Sequence, residues 1–252
     1  MRLKQYILNE AQHRNKTISY EETRKLLEKN CSKSIKGSYI YRGVSYYKEH
    51  VFIDPKSGKS RKSAYTDNYY TLIMDNCKEW SKYPKRSESI ICTTDTNTAE
   101  MYGIVYGVFP YDGAKIGVCS ERDLWASFSN VELLNAFNRR LKVMFKKIGI
   151  PLYDDNIKVF KNSLKLFDNY IKVNNTNIKT IADLYSFDIL NNYKGNLWKL
   201  LCESFAPEKN NFKLMKASDN LFQYREVWTD SKSIMININS IDKFYDIIDN
   251  YR

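Results

Sequence analysis

The sequence predicts an α+β protein with a compact mixed or antiparallel β core, flanking helices and a large helical insertion. Three observations carry this. Short runs rich in Tyr, Ile and Val, bounded by turn residues, recur between residues 35 and 129. From Asn130 to about Glu203 the apolar residues recur instead at three and four. The β pattern then returns at Gln223–Ile238, so the helical block interrupts one domain spanning 1–252 rather than following it. The expected divisions are an N-terminal helical segment 1–34, a first part of the core 35–129, a helical insertion or lid 130–220, and a final strand and C-terminal helix 221–252.

The first thirty residues read as helix: Ser19 is an N-cap candidate, Glu22 completes a capping-box spacing, and Leu26 and Leu27 supply an apolar face. A strand follows around Tyr39–Tyr47, then a basic, turn-rich loop at Asp54–Lys62, signalled by Asp-Pro and Ser-Gly. Asp67 stands where it caps a helix from Asn68 to about Lys82, with Tyr70, Ile73, Met74 and Cys77 on one face. Strands are expected at Ser87–Thr93, Gly103–Phe109 and Lys115–Cys119, with a short helix at Thr98–Tyr102. In the insertion, one helical face runs through Leu133, Leu134, Phe137, Leu141, Met144 and Phe145, and a second through Val159, Phe160, Leu164, Phe167 and Ile171. A third helical stretch lies near Ile181–Leu201. Alternation at Ile234, Ile236 and Ile238 marks the returning strand, and a last helix occupies Asp242–Tyr251.

Composition excludes several classes. With 43% hydrophobic and 14% aromatic residues the chain is too apolar for global disorder, and no run of eighteen apolar residues exists to span a membrane. The opening MRLKQYILNEAQHRNK has no apolar core or cleavage site of a secretory signal. Five widely spaced cysteines without a Cys-x-x-Cys pair favour a reducing compartment and give no zinc pattern, so no metal is expected. Only His13 and His50 are present, and no dinucleotide glycine fingerprint, phosphate-binding loop or nucleophile elbow occurs, which argues against histidine-based catalysis. A net charge of +11 points to a polyanionic partner, although the lysines are dispersed except in Lys56–Lys62.

Three segments remain that carry chemistry: Tyr41-Arg42-Gly43; Ser89 to Thr94 followed by Ala99 and Tyr102; and Arg225 to Asp230 followed by Ile234-Met235-Ile236. In this order they resemble the strands of mono-ADP-ribosyltransferases of the Arg–Ser–Glu class. The resemblance covers about half of the chain and implies an ADP-ribosyltransferase-type β core and NAD as substrate, with a protein or nucleic-acid acceptor. It implies Glu226 as the carboxylate that stabilises an oxocarbenium-like ribose in the transition state, with Ser89 or Thr93 orienting it. It further implies that Arg42 binds phosphate, beside Tyr41, Gly43 and Thr94. A nicotinamide-stacking aromatic is sought among Tyr65, Tyr69, Tyr70 and Tyr102. Two positions depart from the family pattern: Cys92 stands for the first Ser of its Ser-Thr-Ser triplet, and Tyr224 for the first Glu of its Glu-x-Glu pair. The stretch Tyr83-Pro84-Lys85-Arg86-Ser87-x-Ser89 is similar to uncharacterised proteins of large tailed phages. That likeness implies a host-cell target and a place in the host cytoplasm or the virion. The second reading, from charge and twenty tyrosines, is a basic nucleic-acid-binding or virion-associated structural protein that keeps the fold without activity. Under the first reading, Arg42 and Glu226 must face one cleft.

Overall fold

The computed structural model describes residues 15–57, 61, 67–128, 131 and 134–250. In chain order the elements begin with β1 (Asn15–Thr17), α1 (Tyr20–Asn30), β2 (Ile40–Val44), β3 (His50–Ile53) and α2 (Tyr69–Asn76). Next come β4 (Ile90–Thr93), α3 (Thr96–Glu100), β5 (Ile104–Pro110) and β6 (Lys115–Val118). The helical block holds α4 (Leu124–Ser127), α5 (Leu134–Lys147), α6 (Ile157–Val173), α7 (Ile178–Tyr185) and α8 (Leu197–Ser204). The chain closes with β7 (Lys213–Lys216), β8 (Glu226–Thr229), β9 (Ser233–Asn237) and α9 (Tyr245–Asn250).

The protein is α+β, and its nine described strands form one sheet in the order β1-β3-β9-β5-β2-β4-β8-β6-β7, antiparallel throughout. The described residues divide into two compact units. One draws on 1–61, Tyr83–Asp123 and Phe212–Arg252, and the other on Lys62–Lys82 and Leu124–Asn211.

The first unit contains the sheet, whose two faces bury different residues, as strand alternation requires. One face gathers Ile40, Val44, Val51, Ile53, Cys92, Tyr106, Val118, Val227 and Met235. The other packs Ile234 and Ile236 against Leu27 of α1 and Phe244, Ile247 and Ile248 at the C-terminal end. Strand β9 is buried on both sides, which explains its unbroken apolar run. Gly117 sits directly across from Trp228, where a Cβ would come within 2.2 Å of the indole; the bare backbone lets the ring lie flat over β6. The second unit is helical around an aromatic core that includes Phe128, Phe137, Phe160, Phe187 and Phe205. The Trp80 indole N–H donates to the Phe205 carbonyl at 2.9 Å, so even its polar atom is satisfied.

Several boundaries differ from the sequence expectation for local physical reasons. Ser19 does cap α1, its hydroxyl accepting from the Glu22 N–H at 3.1 Å. The expected helix over the first thirty residues is preceded by β1, however, and residues 1–14 lie outside the described set, as does His13. The expected strand Tyr39–Tyr47 is present but shorter, as β2, and β3 follows it beyond the expected range. Helix α2 ends at Asn76 and has Asn68 at its N-cap position, without a side-chain capping hydrogen bond, while Asp67 pairs with Lys142 at 2.5 Å. Ser87 belongs to a 3₁₀ turn, Arg86–Glu88, so β4 starts only at Ile90. Strand β7 occupies residues expected to be helical. The helix expected at Asp242–Tyr251 is a 3₁₀ turn, Ile238–Phe244, running into α9. Leu133 and most of the Lys56–Lys62 run fall outside the described residues, and Lys56 is paired with Asp230 at 2.7 Å. Among the described residues no helix is long and apolar enough to cross a membrane.

The expectation of unpaired, reduced thiols also needs correcting. Cys77 and Cys202 form a disulfide across 125 residues, Cα–Cα 5.5 Å, while Cys31, Cys92 and Cys119 are buried free thiols. The separation in sequence hid the pair. Replacing both partners by Ser is expected to lower the stability of the second unit by about 2–4 kcal/mol, read as a shift in denaturant midpoint. A midpoint that does not respond to the change would show that the crosslink carries no stability.

A second prediction concerns acid. His50 is buried, its Nε2 has no hydrogen-bond partner among the described residues, and its ring packs edge-on against Phe244 at 5.3 Å. Desolvation holds its pKa below the ordinary 6.5; nearby Glu49 opposes this and Lys243 adds to it. The unfolded chain therefore binds this proton more readily, so the stability contributed is complete above about pH 6.5 and declines as pH falls toward the depressed folded value. His50→Phe, which keeps the aromatic packing, is expected to flatten the melting-temperature profile between about pH 7 and about pH 5. An unchanged slope would assign the acid sensitivity elsewhere.

Candidate functional site

The three segments singled out in the sequence occupy three neighbouring strands, β2, β4 and β8. Register pairs Tyr41 with Thr93 and Thr93 with Glu226, so residues from the beginning, middle and end of the chain form one lateral row. Residues directly opposite in an antiparallel pair share a face. Tyr41, Thr93, Glu226 and Trp228 therefore lie together, on the face opposite Ile40, Cys92 and Val227.

Arg42 does not join them. It shares the face of Ile40 and Val44, and its Nη1 donates to the Ile91 carbonyl at 2.8 Å. The register thus separates Arg42 from Glu226, contrary to the single cleft that the resemblance implies. Cys92, its neighbour on that face, is fully enclosed, and burial pushes its thiol up to about 12. Ser89 precedes β4, and its hydroxyl donates to the Lys85 carbonyl at 2.6 Å, closing the 3₁₀ turn rather than orienting the glutamate.

Thr93 is next to Glu226, but its Oγ1 accepts from the Asp95 N–H at 3.1 Å and so shapes the entry to α3. Asp95 in turn caps α3 through the Thr98 N–H and hydroxyl, and these hydrogen bonds hold its carboxyl below the usual range. Thr94 fastens the segment before β8: its hydroxyl donates to the Phe222 carbonyl at 2.8 Å and accepts from the Arg225 N–H at 3.0 Å. Gly43 is needed for packing, since a Cβ there would stand 1.9 Å from the Ala99 carbonyl oxygen of α3. Tyr102 is exposed. Desolvation of its hydroxyl raises its pKa, with the nearby Glu226 and Asp123 adding and Arg61 opposing. Tyr69 belongs to the second unit, 1% exposed and stacked on Phe160 at 5.4 Å, a packing residue there; Tyr70 is likewise buried in that unit. Tyr65 lies outside the described residues. Tyr224 takes a left-handed backbone conformation, φ 56°, and is exposed.

One residue of the site had no local signal. Arg86, only 4% exposed, places Nη2 at 2.5 Å from Glu226 Oε1, and its guanidinium lies 5.5 Å from the centre of the Trp228 ring. The Trp228 indole N–H donates to the Pro84 carbonyl at 2.9 Å, fixing the ring under the arginine. Glu226 is 18% exposed, and its second oxygen makes no hydrogen bond to a described residue. The result is a part-exposed carboxylate with one oxygen held by the arginine. Such a group can stabilise a developing positive charge or accept a hydrogen bond from a ligand hydroxyl.

The pair also has a stability consequence. Glu226→Gln removes the counter-charge of a buried guanidinium and is expected to destabilise the first unit by about 3 kcal/mol, the lower end for a stranded buried charge. Arg86→Met should cost less, because the carboxylate it leaves behind retains access to water, and the double variant should be more stable than Glu226→Gln alone. Denaturant unfolding of the four proteins measures this, and strictly additive effects would show the pair to be uncoupled. Comparison of the chain with protein-family models, with curated proteins and with solved structures finds no match.

Proposed function

We propose that this protein is an NAD-dependent mono-ADP-ribosyltransferase acting on a protein or nucleic-acid acceptor. The observation that carries the reading is the row Tyr41–Thr93–Glu226. Three segments chosen for their order along the chain become adjacent positions on adjacent strands, which chance placement on a nine-stranded sheet would rarely produce. Breaking the bond between nicotinamide and ribose leaves positive charge on the ribose. The part-exposed Glu226 carboxylate supplies the opposing charge, and its contact with Arg86 fixes its direction. Two members of the family set take no part in this reading as the sequence assigned them, namely Arg42 and Ser89.

A second reading is favoured by the same ion pair. A carboxylate already neutralised by a buried guanidinium suits a protein that binds its ligand without turning it over. One experiment separates the two. Labelled NAD is incubated with the protein and a cell lysate, alongside Glu226→Gln at a temperature where circular dichroism shows both to be folded. Transfer predicts labelling of a discrete protein or nucleic-acid species that falls by at least about a hundredfold in the variant. Labelling that persists in the folded variant removes Glu226 from catalysis, and absence of labelling with the wild type leaves the binding reading.

A further inference from the structure

Beside the row that ends in Glu226, the first unit carries a polar groove of about 530 Å³. Lys36, Tyr39, Tyr41, Thr94, Asn220 and Gln223 line it. Its walls are fastened. The Ser38 hydroxyl accepts from the Leu221 N–H at 2.9 Å, the Ser38 N–H donates to the Asp219 carbonyl at 3.3 Å, and Thr94 holds the other end of the same segment through Phe222 and Arg225. Gly37 allows this approach, since a Cβ there would fall 2.2 Å from the Ala217 carbonyl oxygen. The segment bearing Asn220 and Gln223 is thus tied at two points before any ligand arrives, which lowers the ordering cost of binding.

The lining has a definite chemistry. Tyr39, just before β2, and Tyr41, on it, have ring centres 6.1 Å apart and planes inclined by 32°, and Tyr39 is braced edge-on by Phe109. They offer a broad aromatic surface to a flat ring. Lys36 brings positive charge to the rim, and among the described residues no carboxylate lines the groove. The two carboxamides of Asn220 and Gln223 each provide a donor and an acceptor for a base edge or for sugar hydroxyls. A planar heteroaromatic ring joined to a sugar and a phosphate satisfies all three features, and the volume suits one nucleotide rather than a chain of them.

We propose that this groove is a mononucleotide-binding site, with the base stacked on Tyr41, the phosphate at Lys36 and the polar edges read by Asn220 and Gln223. The inference stands on the groove and not on transfer chemistry. Where the transferase reading holds, it also names the place of the adenosine-phosphate half of NAD. Tyr41 and Glu226 are separated by two strand spacings, roughly 10 Å, on the same face. The cation that meets phosphate is then Lys36, on the glutamate's side of the sheet, and not Arg42.

The test is calorimetric titration of the full chain with AMP, adenosine and ribose 5-phosphate, and with a short oligodeoxyadenylate in a separate arm. AMP is expected to bind more tightly than either fragment. Lys36→Ala should weaken AMP about tenfold while leaving adenosine unchanged. Tyr41→Ala should weaken both AMP and adenosine about tenfold or more. The exposed Asn220→Ala, which threatens folding least, should weaken AMP without affecting ribose 5-phosphate. No binding of AMP at millimolar concentration, equal affinity across wild type, Lys36→Ala and Asn220→Ala, or binding of the oligonucleotide alone overturns the proposal. The labelling experiment reads the transferase separately. AMP binding without transfer leaves the groove standing and removes the enzyme, whereas transfer whose KM for NAD is unchanged by Lys36→Ala and Asn220→Ala keeps the enzyme and removes the groove.

Discussion

Trp228 is the side chain around which the first unit is organised. Its ring occupies the space left by Gly117 on the neighbouring strand, and its indole N–H ties down the Pro84 carbonyl. Its face carries the Arg86 guanidinium, which in turn reaches Glu226 two residues earlier on the same strand. Tyr83 and Phe212 complete the enclosure, with ring centres 6.3 and 6.1 Å away. A buried charge of this kind is tolerable only where an aromatic face and a carboxylate share the burden of desolvation. The orientation of the site carboxylate is therefore a by-product of how one tryptophan packs.

That arrangement unites the functional and the structural roles of Glu226. A part-exposed carboxylate held by a buried guanidinium is both a candidate for charge stabilisation and a counter-ion on which the fold leans. The two roles explain why the face of the sheet matters more than the strand. Strands β2, β4 and β8 are neighbours, yet a single step along β2 separates Tyr41, which joins the glutamate, from Arg42, which turns to the opposite core and bonds the Ile91 carbonyl.

Much of the local structure was legible. Ser19 and Glu22 stand at a spacing whose hydrogen bonds close within one turn, and the doubly buried β9 announced itself by its isoleucines. What could not be read depended on distant partners. The Ser87–Ser89 stretch has strand composition, but the Ser89 hydroxyl prefers the Lys85 carbonyl and winds the chain into a turn. Strand β7, Lys213–Lys216, is an edge strand with exposed lysines, and such a strand shows no alternating apolar signal. Glu226 was visible because its strand context is local. Arg86 was not, since the carboxylate that makes sense of it lies 140 residues further along. The groove formed by Lys36, Tyr41 and Gln223 likewise exists only once the segment before β8 is laid across the end of β4.

The Cys77–Cys202 bond has a topological effect distinct from its contribution to stability. It closes a covalent ring that contains β4, β5 and β6, while β2, β7, β8 and β9, with which those strands pair, lie outside it. A protease that cuts once between residues 78 and 201 therefore opens the ring without releasing a fragment, and the nicked molecule keeps its full mass until it meets a reductant. A cut before Cys77 or after Cys202 frees a piece at once, unless the sheet itself retains it. The same backbone thus has a stretch of about half its length in which a single scission is covalently silent, and flanks in which it is not.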